Sequence, residues 1–361
     1  MKILIYVHSL DFGGAERTVS YLSDYFVNQG NLVVIILNEN KIKYNINKNV
    51  IIKVLNIKSA NNTFKRTINI FKRNKVLKKI VNIESPDIIL TMSATSSIYF
   101  IRKKYRGLLI SSKRSNPLKQ GKISKMFENW IYSKSQGIIF QTKDAQKLYN
   151  YKIQNKSRVI QNAVGNQDIY SVNKDYVFDD TILAVGRLVK IKDYTTLLKA
   201  FKLVLEDFPE YKLFIYGQGE EKQNLINFSK ELEIIDNVHF KGVDKNAIIK
   251  NVNSRCYVLS SKSEGMPNSL MEAMAIGIPS ISTDCDYGPR DIIINGKNGL
   301  LVEVGDYHGM AQAIKKLILN ENYAVEISKE GQKLKESNSI IKISKKYLDF
   351  MSETVSKRLL K

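Results

Sequence analysis

Apolar and polar positions alternate along this chain in two distinct patterns. Short apolar runs bounded by Gly, Asn and Asp predict buried strands, and longer runs with apolar residues three and four positions apart predict helices. The predicted strands cover residues 2–8, 31–37, 87–91, 107–111, 137–141, 157–161, 181–185, 211–216, 237–240 and 256–259. Because a helical pattern follows nearly every strand, the sequence predicts an α/β fold with parallel, doubly wound sheets.

A polar, turn-rich stretch at residues 165–180 divides this pattern into two halves. With 361 residues and 43% hydrophobic content, the chain is long enough for two domains with separate cores. We therefore predict an N-terminal domain at 1–168 and a C-terminal domain at 169–338. The remaining segment, 339–361, is predicted to be a basic helix.

The turn after the first strand contains Gly13-Gly14 at the start of the first predicted helix. Unpaired amides at a helix N-terminus favour a bound phosphate, so this turn is a candidate phosphate cradle. A plain turn is an equally good interpretation. The segment contains no G-x-G-x-x-G pattern, which argues against a nicotinamide cofactor.

The segment SSKSEGMPNSLMEAM follows the apolar run at 256–259 and leads into a predicted helix. Gly265 removes a side chain where a ligand must approach the backbone, and Glu264 and Glu272 flank this point with seven residues between them. Ionised carboxylates accept hydrogen bonds from sugar or ribose hydroxyls. The alternative is a loop glutamate in solvent and a helix glutamate in a surface ion pair.

Two cations follow the strand at 181–185. Arg187 comes directly after Gly186, and Lys192 lies near the start of the next predicted helix. Together they could neutralise a leaving diphosphate, which is the electrostatic requirement of transfer from a nucleotide sugar. The alternative is that Arg187 and Lys192 are ordinary surface residues, as an Arg and a Lys at this spacing usually are.

These motifs resemble those of the family 4 glycosyltransferases, which have the GT-B fold. The Glu264/Glu272 pair is similar to the Glu-x7-Glu signature, and Gly186-Arg187-Leu188 with Lys192-Asp193 resembles the family's phosphate clamp. The likeness continues through residues 272–275, 277–279 and 296–300, and is strongest between 176 and 305. It implies two Rossmann-like domains facing a cleft, with the last helix crossing back to the N-terminal domain.

The resemblance also implies roles for individual residues. Arg187, Lys192 and Glu264 would be catalytic, with Glu264 holding hydroxyls of the transferred sugar. Glu272 would hold the ribose. The implied donor-binding residues are Gly14, Gly217, Phe240, Gly265, Met266, Pro267, Asn268, Ser269 and Glu272.

The implied reaction retains the anomeric configuration and uses no metal, and a donor phosphate oxygen takes the acceptor's proton. Asp284-Cys285-Asp286 spells the Asp-x-Asp of metal-dependent GT-A enzymes, but it follows the donor motif and is not expected to bind metal. No cofactor is expected beyond the nucleotide sugar as co-substrate.

Many family members have a histidine near the end of a strand in the N-terminal domain. The corresponding segment here, 87–93, contains no histidine, and Ser93 could occupy that position. Arg114 could bind an acceptor phosphate, or be a surface arginine.

The net charge of +21 is concentrated in the first half, where residues 62–135 hold 17 Lys or Arg against three carboxylates. Within this region, the basic helix predicted at 63–82 suits an anionic membrane surface, although an ordinary hydrated helix fits equally well. The chain has no run of eighteen apolar residues and its first strand is too short for a signal peptide, so we expect a cytoplasmic protein at the inner face of the cell membrane. Its two cysteines and three scattered histidines predict neither disulfides nor a zinc site.

The sequence therefore predicts a retaining glycosyltransferase. It would move a hexosyl or N-acetylhexosaminyl group from a nucleotide sugar, taken to be a UDP-sugar, to a lipid-linked or surface-polysaccharide acceptor. One alternative is an inactive GT-B partner subunit that binds sugars. Another is nucleic-acid binding through the basic face, but the aromatic-basic motifs of single-strand binders are absent, so no nucleic-acid partner is expected.

Overall fold

The computed structural model of the protein describes residues 1–11, 13–57, 63–101, 107–114, 122–165, 167–172 and 174–359. The chain divides into two compact units. Unit 1 comprises Met1–Ala163 and Ile340–Lys361, and unit 2 comprises Val164–Ser339. The first boundary therefore lies five residues before the one expected from the sequence.

Unit 1 is built on a parallel sheet of seven strands in the order β3-β2-β1-β4-β5-β6-β7. The strands are β1 (Lys2–Val7), β2 (Leu32–Leu37), β3 (Ile51–Val54), β4 (Ile88–Thr91), β5 (Leu108–Lys113), β6 (Gly137–Phe140) and β7 (Ser157–Val159). The helices between them are α1 (Gly14–Asn28), α2 (Thr63–Glu84), α3 (Ala94–Ile101), α4 (Lys122–Lys134), α5 (Lys143–Lys147) and α6 (Tyr151–Gln154).

The two faces of this sheet hold different helices because side chains alternate along each strand. Ile3 and Ile5 of β1 face the cluster that contains Val19 and Phe26 of α1. Leu4 and Tyr6 face the opposite cluster. That second cluster also contains Leu77 and Val81 from α2 and Phe100 from α3.

Unit 2 repeats this design with six parallel strands in the order β10-β9-β8-β11-β12-β13. The strands are β8 (Asp179–Val185), β9 (Lys212–Tyr216), β10 (Val238–Gly242), β11 (Ser254–Leu259), β12 (Ser280–Thr283) and β13 (Leu300–Val302). The helices are α7 (Tyr194–Leu205), α8 (Lys222–Glu231), α9 (Ala247–Lys250), α10 (Asn268–Ala275), α11 (Pro289–Ile292), α12 (Tyr307–Leu319), α13 (Glu321–Gln332) and α14 (Leu334–Ser337).

The last helix, α15 (Ile340–Leu359), packs in unit 1 rather than in the unit that precedes it. Its apolar residues Ile343, Tyr347 and Phe350 are buried in the same cluster as α1. Arg158 of β7 also forms a bidentate contact with Glu353, at 3.1 and 2.8 Å. These contacts anchor the end of the described chain to the first sheet.

None of the helices in the described ranges combines the length and apolar character needed to cross a bilayer. The long α2 shows why. It buries Leu77 and Val81 but exposes Lys72, Lys75, Lys78 and Lys79. Its side chains at 63–68, including Phe64, Lys65, Arg66 and Ile68 of the predicted basic helix, lie outside the described residues.

Candidate active site

The strand order of unit 2 places its two central loops side by side. Counted from the first strand of the unit, the strand order is 3-2-1-4-5-6, so β8 and β11 are neighbours at the centre of the sheet. The chain leaves β8 toward one edge of the sheet and β11 toward the other, which opens a crevice between their carboxyl ends. The loop after β8 runs through Arg187 to Lys192, and the loop after β11 runs through Ser261 and Glu264 to α10. Open α/β sheets bind ligands at this switch point.

Lys192 and Glu264 meet across this crevice. The ammonium of Lys192 lies 2.5 Å from Glu264 Oε1, and both side chains are largely buried, with exposed fractions of 16% and 11%. The hydroxyl of Ser261 donates to the same oxygen at 2.6 Å. A lysine ammonium has three N–H donors, so the contact with Glu264 uses one of them.

Backbone contacts fix the position of Lys192. The Ser260 hydroxyl donates to the Lys192 carbonyl at 2.9 Å, and the Lys262 amide donates to the Ile191 carbonyl at 2.8 Å. Asp193 follows with φ 48° and ψ 46°, and its carboxylate accepts from Thr195 and Thr196 at 2.8 Å each. The left-handed Asp193 ends one short turn and starts α7, which turns Lys192 toward the β11 loop.

Arg187 lies in the same loop but makes no contact with the lysine and glutamate pair. Its side chain is exposed, and within the described part of the chain it has no hydrogen bond or ion pair. Its guanidinium is therefore available to a solvent-borne anion, since it has no carboxylate to neutralise it.

Close backbone packing holds the Arg187 loop against the loop after β9. The Leu188 amide donates to the Gln218 carbonyl at 2.9 Å, and Gly217 has φ 151°. A Cβ at Gly217 would lie 1.8 Å from the Gly186 carbonyl oxygen, so glycine is required here. Gly217 thus shapes the loop, and Phe240 packs in β10 against the main core of unit 2.

The turn before α10 has a second close approach. Gly288 has φ 105°, and a Cβ there would lie 2.4 Å from the Gly265 carbonyl oxygen and 2.8 Å from Pro267 Cδ. Met266 and Pro267 are buried, while Asn268 begins α10. The chain from 286 to 289 therefore supports the turn that carries Glu264.

Two buried tyrosines lie beside the carboxylates. Burial raises the pKa of Tyr194, and the charge of Glu264 raises it further. Burial also raises the pKa of Tyr257 well above its ordinary value, with smaller contributions from Tyr194, Glu264 and Glu272. The neutral Tyr257 hydroxyl donates to Ser269 Oγ at 2.8 Å, so it fixes the first turn of α10. Glu272 lies one turn further along this helix.

Sequence reasoning missed several of these supporting residues. Ser261, Tyr257 and Gly288 were not predicted as site residues, and Asp193 was predicted only as part of the clamp motif. Ser261 had a signal, because it is a polar residue directly after a buried strand and three positions before Glu264. Tyr257 had none because it lies within an apolar strand, and Gly288 had none because its close approach to Gly265 joins two separate loops.

The predicted residues of the N-terminal half lie in unit 1. Gly14 begins α1, and the preceding Gly13 exchanges hydrogen bonds with the Tyr44 hydroxyl. Ser93 Oγ accepts from the Ser96 amide at 3.2 Å, which caps the start of α3.

Arg114 makes internal contacts in unit 1. Its guanidinium donates to Thr18 Oγ1 at 2.7 Å, to Asn162 Oδ1 at 2.6 Å and to the Tyr347 hydroxyl at 3.3 Å. These bonds link the end of β5 to α1, to α15 and to the segment that follows β7. An acceptor phosphate at Arg114 would have to share or displace them.

Two residues of the Asp284-Cys285-Asp286 segment, Asp284 and Cys285, make contacts within unit 2. Arg290 Nε donates to Asp284 Oδ1 at 2.9 Å, and Cys285 is buried. Burial raises the pKa of the Cys285 thiol to about 12, and Glu264 adds to this shift. No group of three or more metal-ligating side chains occurs among the residues that the structure describes.

Residues 171–334, nearly all of unit 2, match the family model of the glycosyl transferases group 1. Unit 2 is therefore similar to the proteins of this glycosyltransferase family. The match contains the Lys192 and Glu264 loops, and it confirms the resemblance drawn from the sequence motifs.

Relatives with similar sequences match different lengths of this chain. An uncharacterized glycosyltransferase of Methanocaldococcus jannaschii is 33% identical over 198 residues, which is 50% of this chain and 49% of the relative. The chain therefore matches only about half the length of that relative. An N-acetylgalactosaminyltransferase of Campylobacter jejuni is 24% identical over 97% of this chain and 99% of its own.

Solved structures confirm the predicted GT-B fold. TarM of S. aureus, in a complex with UDP and α-GlcNAc-glycerol, matches with a TM-score of 0.79 and 17% identity, covering 97% of this chain and 99% of that chain. A sucrose-phosphate synthase from Thermosynechococcus elongatus matches with a TM-score of 0.81 and 17% identity, covering 99% of both chains.

Proposed function

We propose that this protein is a retaining, metal-independent glycosyltransferase that takes a hexosyl or N-acetylhexosaminyl group from a UDP-sugar. The observation that carries the proposal is the contact between Lys192 and Glu264 across the switch point of unit 2. An ammonium and a carboxylate at one crevice provide both functions that the donor requires. The cation faces a diphosphate, and the carboxylate accepts from sugar hydroxyls.

Binding of the donor would redistribute these charges. Arg187 is exposed and lacks a partner within the described residues, so it meets the diphosphate first, and Lys192 supplies further N–H donors to the phosphate oxygens. Negative charge builds on the diphosphate as the glycosidic bond breaks, so both cations stabilise the transition state more than the bound donor. Glu264 orients the sugar, and Glu272 on α10 holds the ribose.

The acceptor is a lipid-linked or surface glycan. The Campylobacter relative, which spans nearly all of this chain, is named for a substrate carried on diphospho-undecaprenol. Poly(glycerol-phosphate) and poly(ribitol-phosphate) glycosyltransferases are among the other relatives, with 31% and 28% identity over about half of this chain. All three names describe acceptors that carry phosphate, which fits the positive charge of unit 1.

We place the protein at the cytoplasmic face of the membrane, with α2 toward anionic headgroups. The helix exposes Lys72, Lys75, Lys78 and Lys79, and it also exposes Phe71. Each basic side chain near an anionic surface contributes about 1 kcal/mol of attraction. The basic stretch therefore supports reversible binding that weakens as salt increases.

The test is a donor panel. The protein is incubated with UDP-, GDP- and ADP-sugars, with and without lipid-phosphate acceptors, and free nucleotide is measured. We expect UDP release that increases with a lipid-phosphate acceptor, persists in EDTA, and gives a product whose anomeric configuration by NMR matches the donor. Inverted product or loss of activity in EDTA would refute the retaining or metal-independent parts of the proposal. No turnover with any donor would favour the inactive-partner alternative.

A further inference from the structure

Helices α2, α3 and α4 form one outward surface of unit 1. Leu77 of α2 and Phe100 of α3 pack on the same cluster of strand residues, and α4 packs against α3. The three helices therefore cover the same face of the sheet, with their other sides directed outward.

The outward side of α4 carries an apolar patch formed by Ile123, Met126 and Phe127. These side chains are 84%, 72% and 44% exposed, and their spacing of three and four residues places them together. The ring of Trp130 stacks on Phe127 with 5.8 Å between centroids. The opposite side of α4 already provides its packing, because Ile131 and Tyr132 are fully buried there. A cluster of large exposed apolar side chains marks an interaction surface.

The charge of this surface indicates its partner. In sequence, α2, α3 and α4 contain only two carboxylates, Glu84 and Glu128. Both are buried and paired with lysines. Glu84 lies 2.7 Å from Lys2, and Glu128 lies 2.6 Å from the buried Lys113. Neither carboxylate offsets the outward lysines, so the exposed charged side chains in the described parts of α2, α3 and α4 are all positive.

We infer that α4 inserts Ile123, Met126 and Phe127 into the interface of an anionic lipid bilayer while the lysines of α2 contact the headgroups. The inference rests on the membrane contact proposed above and adds its apolar component. Apolar residues combined with lysines on one helical surface are typical of interfacial membrane helices. An acidic protein partner would match the charge, and an anionic bilayer matches both the charge and the exposed apolar side chains.

This orientation places the acceptor side of unit 1 at the membrane. In a parallel sheet, each connecting helix begins near the carboxyl ends of the strands, so the first turns of α4 lie near that edge. Ile123 and Met126 are in those turns, and the loop of Ser93 leaves the same edge. Insertion of α4 therefore brings this edge toward a lipid-linked substrate.

The chain provides its own probe, because Trp130 is its only tryptophan. We would mix the protein with phosphatidylglycerol vesicles and with neutral phosphatidylcholine vesicles, each containing bromine-labelled acyl chains. We expect Trp130 emission to shift to shorter wavelength and to be quenched on the anionic vesicles. Free inorganic phosphate should produce no shift. Absence of quenching on anionic vesicles to which the protein is bound would overturn the inference.

Variants separate insertion from headgroup contact and from catalysis. In flotation at high salt, I123E/M126E should reduce vesicle binding by about tenfold or more. The matched control L319E replaces a side chain in unit 2 that is 75% exposed, and it should bind as wild type. K72E/K75E should weaken binding at low salt. Wild-type binding by I123E/M126E, or equal loss in L319E, would contradict the role of α4.

Nucleotide release without lipid keeps the two proposals distinct. I123E/M126E should retain the wild-type rate of UDP-sugar hydrolysis. A protein that inserts into vesicles but releases no nucleotide would refute the proposed transfer reaction and leave the insertion standing. A protein that transfers sugar but shows no Trp130 quenching would refute the insertion and leave the proposed transfer reaction standing.

Discussion

The two units share a strand order but differ in the side chains at their switch points. In unit 2, the loops after β8 and β11 are joined by the Lys192 and Glu264 pair. In unit 1, the corresponding loops follow β1 and β4, and Ser93 uses its oxygen to cap α3. The fold therefore supplies the crevice twice, and in unit 2 a cation and a carboxylate meet across it.

Two arginines show the same contrast. Arg114 follows β5 and Arg187 follows β8, so both occupy loops at the carboxyl ends of strands. Arg114 donates to three oxygen atoms and one sulfur atom within unit 1, whereas Arg187 is exposed and has no protein partner for its side chain in the described residues. One guanidinium stabilises its unit, and the other is available to a ligand. Position after a strand does not distinguish these roles.

The largest expected effect tests the charged crevice of unit 2. Lys192→Ala should reduce glycosyl transfer by about a hundredfold or more, because it removes stabilisation of the leaving diphosphate. The measurement is initial-rate UDP release. Lys190→Ala is the matched control, since Lys190 is an exposed lysine of the same short turn. A Lys192→Ala enzyme as fast as the control would remove Lys192 from the mechanism.

Glu264→Gln should slow transfer by roughly tenfold or more, because the amide keeps the shape but loses a charged hydrogen-bond acceptor. Since Lys192 and Glu264 share a direct contact, the double variant should be less impaired than the product of the single effects predicts. Kinetics of all four proteins measure this coupling. Strictly multiplicative effects would show that the two side chains act independently.

The arginine comparison predicts opposite readouts. Arg114→Ala should lower the free energy of unfolding by about 2 kcal/mol, because it leaves the buried Asn162 and Tyr347 without a charged donor. Arg187→Ala should change it by less than about 0.5 kcal/mol and slow transfer instead. Urea unfolding and rate measurements on both variants test this. An equal loss of stability in the two variants would contradict the different roles assigned to Arg114 and Arg187.

Gly217→Ala should destabilise unit 2 by about 1–3 kcal/mol, since the methyl group would collide with the Gly186 carbonyl. Gly30→Ala is the control in unit 1. Gly30 has φ 75° and open space around it, so strain alone should cost about 1 kcal/mol. Thermal unfolding monitored by circular dichroism compares the two. A smaller loss at Gly217 would mean that its loop rearranges freely.

The smallest effect concerns the buried thiols of unit 2. Burial raises the pKa of Cys256 and Cys285 from 9.0 to about 12. Below pH 9 both thiols are neutral whether the chain is folded or unfolded. Between pH 9 and 12 only the unfolded chain loses these protons, so the free energy of unfolding falls across that window. Urea midpoints should be lower at pH 10 than at pH 8, and C256S/C285S should reduce the difference. An unchanged difference would exclude the thiols as its cause.

The sequence predicted most of the architecture because parallel strands and their helices leave strong periodic signals. It missed β3, β12 and β13, which have only three or four residues each. Between β6 and β7 the chain forms two short helices, α5 and α6, with Asn150 capping the second. In the predicted basic helix at 63–82, the aromatic Phe71 is 71% exposed rather than buried.

The site was predictable only where local motifs carry it. The proximity of Lys192 and Glu264 was predictable because each stands in a recognisable loop, although 71 residues separate them in the sequence, and their catalytic roles stay a prediction. The supporting contacts of Tyr257 and Gly288 depend on which loops the sheet brings together, and no local pattern records that. The internal bonds of Arg114 were missed for the same reason, since their partners lie in α1, in α15 and in the segment that follows β7.

The central claim is that the crevice between β8 and β11 binds the nucleotide diphosphate of the donor. Hydrogen exchange of backbone amides with and without UDP locates that binding directly. The account predicts slower exchange in peptides covering 186–193 and 260–269, and loss of this protection in Lys192→Ala but not in Lys190→Ala. UDP binding that leaves both segments unprotected, or protects them equally in the two variants, would contradict it.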